Sequence, residues 1–158
     1  MSSKLLLCPL IAVAALACGG DGGTGPSPTF ETVSGTYGGV MSATSQGVLM
    51  DGNFSITITQ SQGNLGGSYS LAGTLSDASE SVQFDGTGSL QGTIASGSNP
   101  SINITATNGA CPNVHTTLSG TYDRANHALT IPSTSIPFFD QNCQTVLTFT
   151  NISVVLHR

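Results

Sequence analysis

From Thr32 onward, apolar and polar side chains alternate with a period of two, and clusters of Gly, Asn, Asp and Ser interrupt the alternation. A period of two places successive side chains on opposite faces of an extended chain, so the pattern predicts half-buried β-strands. Phe54-Ser55-Ile56-Thr57-Ile58-Thr59 shows it most clearly, with apolar residues on one face and hydroxyls on the other. Val82, Phe84, Leu90 and Ile94 share one face, and Ile102 and Ile104 repeat the arrangement. Near the end the phase changes: Leu147 and Phe149 are odd, whereas Ile152, Val154 and Leu156 are even. One extra residue in the strand would restore the face, which predicts a bulge near Asn151. Read this way, the chain holds eight strands, at 32–44, 53–60, 64–76, 81–95, 100–107, 113–123, 127–136 and 144–157.

Short turns such as Gly63-Asn64 and Asp123-Arg124-Ala125-Asn126 predict hairpins between sequential neighbours, hence antiparallel order. The expected fold class is all-β: a closed or nearly closed up-and-down β-barrel of about eight antiparallel strands. Closure removes sheet edges, which a chain with only 7% charged residues has few means to protect. A two-sheet β-sandwich accounts for the same alternation and stays open as the alternative. Its immunoglobulin subtype is disfavoured, because the chain has no Trp to accompany a cysteine pair. A transmembrane barrel shares the alternation too, but such barrels carry aromatic girdles, and this chain has three tyrosines and no Trp.

A five-residue pattern recurs within the strands: an apolar residue, any residue, Gly, a hydroxyl, then an apolar residue or Tyr. It occurs at Val33–Tyr37, Leu65–Tyr69, Leu71–Leu75, Leu90–Ile94 and Leu118–Tyr122. The glycine falls on the apolar face each time. Two readings are open: it lets a strand coil tightly against its neighbour, or it lines a ligand cavity.

The first residues follow a different logic. Lys4 precedes an apolar run from Leu5 to Leu16, then Ala17 and Cys18, and a tail of five glycines and two prolines fills 19–29. This order resembles the signal peptide of bacterial lipoproteins, in which a cysteine at the cleavage site is acylated and becomes the new N-terminus. The box before it reads Ala15-Leu16-Ala17-Cys18, with Ala where that family favours Leu, and Leu where it favours a smaller residue. The departure puts some weight on ordinary cleavage nearby, which would leave Cys18 a free thiol. The apolar run is shorter than the roughly 20 residues of a spanning helix. The resemblance therefore implies a signal peptide at 1–17, a lipid-attachment residue at Cys18 with a tether over 18–30, and a single domain over 31–158. It also implies membrane partnership through the acyl chains, at about 0.8 kcal/mol per buried CH₂. Gly19 rather than Asp after the cysteine favours the outer membrane, facing periplasm or cell surface. Eleven residues of this composition span roughly 18–20 Å on average.

Composition narrows the function. Removing seventeen residues from 158 leaves 141, enough for one compact domain and its tether. The chain has only three Lys and Arg against eight carboxylates, so it lacks the basic cluster that nucleic-acid binding requires. Of four cysteines, Cys8 leaves with the signal and Cys18 takes the lipid. Cys111 and Cys143 remain, and in an oxidising compartment they are expected to form a disulfide.

No catalytic constellation emerges. His115, Asp123 and His127 lie close in sequence, but His115 falls on the polar face of its strand while the other two flank a turn. Asp77, Glu80 and Asp85 match no calcium-loop spacing. No serine occupies a Gly-x-Ser-x-Gly elbow. No metal and no cofactor are expected. Pro137-Phe138-Phe139-Asp140 is the densest aromatic spot, and Phe138 and Phe139 are candidates either for a ligand mouth or for capping an open barrel end.

The stretches Ser34-Gly35-Thr36-Tyr37 and Ser119-Gly120-Thr121-Tyr122 resemble strands of avidin- and lipocalin-type barrels. That likeness is confined to these two stretches, and the tryptophans of the biotin site are missing. The expected function is that of a non-enzymatic envelope lipoprotein binding a small apolar ligand. An envelope protein-interaction module with a packed interior is the alternative, and a hydrolase a third.

Overall fold

The structure, a computed structural model, describes residues 27–158. Its eight strands are β1 (Gly35–Ser45), β2 (Val48–Ser61), β3 (Asn64–Ser76), β4 (Ser81–Ile94), β5 (Ser101–Asn108), β6 (His115–Asp123), β7 (Ala128–Phe139) and β8 (Thr145–His157). Each pairs antiparallel with the next, and β8 returns to β1, so the sheet closes into an up-and-down barrel rather than a sandwich. The closing seam is short in backbone pairing: Gly38 faces His157, and the Ser45 hydroxyl donates to the Thr148 carbonyl at 2.8 Å.

The alternating pattern sorts the two faces. Met50, Phe54, Ile56, Ile104, Phe149, Val154 and Leu156 are buried in one interior cluster. Their outward neighbours are mostly Ser, Thr and Asn, with Leu49 and Val155 as exposed apolar exceptions, and one rung of hydroxyls crosses the outside of β1 to β5 as Thr36, Thr57, Ser68, Ser89 and Thr107. Greasy residues inside and hydroxyls outside are the reverse of a membrane-spanning barrel. Val82 departs from the expected pattern. It shares strand parity with Phe84 but is 54% exposed, because the β3–β4 hairpin overhangs the end of the barrel.

The repeated glycines have a steric cause. A side chain at Gly73 would run into the Asp51 carbonyl, one at Gly92 into the Asn103 carbonyl, and one at Gly120 into the Thr130 carbonyl. At Gly67 the backbone also has φ +148°, a region that L side chains rarely adopt. These residues let neighbouring backbones approach closely so that the sheet can curl. None of the five pattern glycines borders the open-pole cavity described below.

Two departures from regular pairing are legible in the backbone. The β1–β2 turn is Gln46-Gly47, both with positive φ, the conformation that a two-residue hairpin favours. In β8, three steps from Phe149 to Ile152 oppose two in β7, and Asn151 has φ 57°, which is the bulge the phase change predicts.

The two poles of the barrel differ. At the pole of the β2–β3, β4–β5 and β6–β7 turns, residues 30–34 fold across the opening. Phe30 packs on the core, in the space left by the absent side chain of Gly63. The Val33 amide donates to Gln60 Oε1 at 2.8 Å, and Gln60 Nε2 donates to the Glu31 carbonyl at 2.9 Å. Phe30, assigned to the tether by sequence, thus belongs to the barrel.

Tyr37 locks this plug. It is fully buried, its hydroxyl donates to the Val33 carbonyl at 2.8 Å, and it meets Tyr122 edge to face at 6.4 Å. Burial, with the neighbouring Tyr122, pushes its phenol up to about 12 from the usual 10. A raised folded-state value means that stability from the neutral phenol is complete below pH 10 and is lost as pH rises through 12. Stability measured by urea titration should stay flat up to about pH 9 and then fall. Tyr37→Phe should flatten that fall while lowering stability at neutral pH by about 1–2 kcal/mol, since the Val33 carbonyl loses its donor.

Candidate functional site

The opposite pole, formed by the β1–β2, β3–β4, β5–β6 and β7–β8 turns, opens into a cavity of about 570 Å³. Its origin lies in β7. This strand carries Pro132 and Pro137, and proline has no N–H to give to a neighbouring ladder. On the β8 side the pairing survives as far as Phe139, with register shifts at Ile131/Thr134, Thr134/Ile136 and Phe138/Phe139. On the β6 side it ends at once: only Asp123–Ala128, Tyr122–Leu129 and Thr121–Thr130 pair. Beyond Thr130 the two strands part, and the cavity lies inside the barrel at this level, lined by residues from β2 to β8.

The walls are more apolar than polar, with Gln83, Asp85, Asn108, Thr116, Ser135 and Asp140 among the lining residues. Leu71, Ala106, Leu118, Ile131, Ile136 and Val154 line it, and Phe84 and Phe138 border its mouth, edge to face at 5.0 Å. Phe138 rests in turn on buried Phe149, with ring centroids 5.7 Å apart. Phe138 and Phe139 both border the cavity and both are half-buried. Strict alternation would send adjacent rings to opposite faces, but the register shift between them breaks it. Tyr69 also lies on the wall, with its phenol pushed above the usual range by burial.

One polar group lies among these residues without a partner. Thr134 is 7% exposed, borders the cavity, and its Oγ1 has no hydrogen bond among the described residues. It sits between two of the register shifts in β7.

The Cys111–Cys143 disulfide spans the parted seam. It joins the β5–β6 loop to the β7–β8 loop, with Cα atoms 5.6 Å apart. The loops around it are built by side-chain caps. Asn108 Oδ1 accepts from the amides of Ala110 and Cys111, and Asp140 Oδ1 accepts from those of Asn142 and Gln144. The pairing expected from sequence therefore has a mechanical role at the mouth.

The charged groups are divided by pole. Asp51, Asp77, Glu80, Asp85 and Asp140 lie on strands and loops of the open half. Among the described residues both arginines lie at the plugged pole: Arg124 contacts Glu31 at 3.1 Å, and the Arg158 side chain lies over Gly35. Asp77 accepts from the Ser79 amide and hydroxyl and the Glu80 amide, which holds its carboxyl below the usual range.

The remaining sequence candidates do not meet. His115 begins β6 at the open pole, outward-facing, with Nδ1 3.0 Å from the Thr107 hydroxyl. His127 lies past the far end of the same strand, with Nδ1 3.2 Å from the Tyr122 hydroxyl. A strand of that length keeps them roughly 25 Å apart. Asp123 caps its own turn through the Ala125 and Asn126 amides, and the Asn126 contacts hold its carboxyl below the usual range. Two further hollows lie elsewhere: one over β2–β5, lined mainly by Ser, Thr and Gly with Tyr69, Asn108 and Pro112, and one over β1–β3 and β8, which includes Val40, Asp51 and Asn53. Cys18 lies outside the described residues. Comparison of the chain with protein-family models, curated proteins and solved structures gives no match in any of the three.

Proposed function

We propose that this chain is an acyl-anchored bacterial envelope lipoprotein whose barrel binds a small apolar ligand at its open pole and performs no chemistry on it. The cavity carries this reading. Its 570 Å³ falls in the 300–1,000 Å³ range of small-molecule sites, and aliphatic and aromatic side chains form the larger part of its walls, with Gln83, Asp85, Asn108, Thr116 and Asp140 as polar groups among them. Export is supported by the disulfide, which suits an oxidising compartment. Attachment through Cys18 would put the tether at the plugged pole, since residues 30–34 close that end, and would leave the mouth on the side away from the anchor.

Both halves of the proposal can be tested separately. Cys18→Ala should move the protein from the membrane fraction to the soluble fraction; retention on membranes would defeat the anchor. Mass spectrometry of an organic extract of the purified protein should recover one small molecule in near-stoichiometric amount. An empty extract, together with a cavity that takes up no uncharged apolar dye, would instead favour the packed interaction module.

A further inference from the structure

We infer that the ligand is an uncharged, mainly apolar molecule with one hydrogen-bonding oxygen, and that Thr134 is the residue that receives that oxygen. The inference rests on the carrier reading above and gives the ligand a chemical class. Buried hydroxyls nearly always find a partner, so an orphan in this wall calls for an explanation. Valine has almost the same shape and would fill this place without stranding a hydroxyl. Thr134 is more than nine-tenths buried, borders the cavity, and has no protein partner for Oγ1 among the described residues. The prolines and register shifts of β7 have already removed the β6 ladder on this stretch, so neighbouring backbone does not supply one. Oγ1 itself has almost no accessible surface as it stands, so a ligand oxygen would supply the partner once the Thr134 side chain rotates to turn Oγ1 into the cavity.

Charge selects against an anion. Asp85 and Asp140 border the cavity itself, and Asp51, Asp77 and Glu80 occupy the same half of the barrel. Arg124 and Arg158 lie at the other pole, and His115, the imidazole of the open half, faces outward and is bonded to Thr107. A carboxylate or phosphate entering here would pass a ring of like charge and find no cation inside. An alcohol, ketone or ester on a hydrocarbon body meets neither obstacle.

The test is displacement of the uncharged dye N-phenyl-1-naphthylamine from the full chain carrying Cys18→Ala, which removes the competing acyl chains. The competitors are 1-nonanol, nonane and nonanoate at pH 8. Nonanol should displace the dye best, nonane roughly three- to tenfold less well, which is the effect of one hydrogen bond, and nonanoate at least about tenfold less well than nonanol. Thr134→Val should erase the preference for nonanol over nonane, and Thr134→Ser should keep it. An unchanged preference in Thr134→Val, or nonanoate binding as well as nonanol, overturns the inference but leaves the carrier reading standing. No dye binding at all overturns both.

Discussion

Replacing Cys111 and Cys143 together by alanine is expected to lower the stability of the barrel by roughly 3–4 kcal/mol. The bridge closes a loop with a sequence separation of 32, and the chain-entropy relation gives that magnitude for the freedom returned to the unfolded chain. Against a total of about 5–15 kcal/mol for a domain of ordinary stability, the loss is large. It should appear as a fall in melting temperature of roughly 10–15 °C. Reduction of the unaltered protein should give the same fall. The location of the bridge adds a second expectation. Only three residue pairs join β6 to β7, all at the plugged end, so the disulfide holds the two mouth loops where the ladder does not. Amide hydrogen exchange on reduction should therefore accelerate first in 108–116 and 132–144, while β2 and β3 stay protected. Uniform acceleration would show that the bridge acts on the whole barrel rather than on its mouth.

Phe149→Ala should cost about 3–5 kcal/mol, the range for emptying a fully buried aromatic position. Phe149 is 0% exposed and supports Phe138 from beneath, and Phe138 in turn meets Phe84 across the opening. The cavity left by the missing ring adjoins the mouth, so Phe138 loses its seat. Affinity for an uncharged apolar dye should fall along with stability. Phe149→Leu should recover most of the stability, since it refills much of the volume, but less of the binding, since it cannot restore the edge-to-face contact. Chemical denaturation together with dye titration separates the two effects.

The barrel was legible in the sequence because its faces are so cleanly sorted. A hydroxyl-rich outside and an aliphatic inside leave period two as the dominant signal, and the phase change after Phe149 located the bulge at Asn151. Strand limits were less legible where turn residues occur within strands. The expected strands leave 45–52 between them, yet Gly52 lies mid-strand against the Ala72 carbonyl, and the turn is Gln46-Gly47. At the other end the expected strand closes at 136, whereas β8 carries the pairing on to Phe139.

The candidate site was only partly readable. Phe138 and Phe139 stood out as an aromatic pair, and the two remaining cysteines implied their bridge. The cavity depends on something local composition does not show: which of two neighbours β7 abandons. Pro132 and Pro137 were the available signal, since two prolines in one strand leave it short of donors. Thr134 gave none, because an alternating strand contains many threonines and only the folded arrangement shows which one is buried without a partner. The plug was hidden for a similar reason. Phe30 follows a glycine- and proline-rich stretch, and nothing in that stretch indicates that the ring folds back beside Gly63.

The claim on which the account depends is that the interior of the open half admits a ligand. Chemical-shift perturbation by N-phenyl-1-naphthylamine, read at methyl groups, tests it directly. The account predicts shifts confined to Leu71, Ile131, Thr134, Ile136 and Val154, with Ile94 and Ile102 near the plugged pole and the outer hydroxyl rung unmoved. Shifts on the outer rung alone, or no shifts at saturating dye, would contradict it.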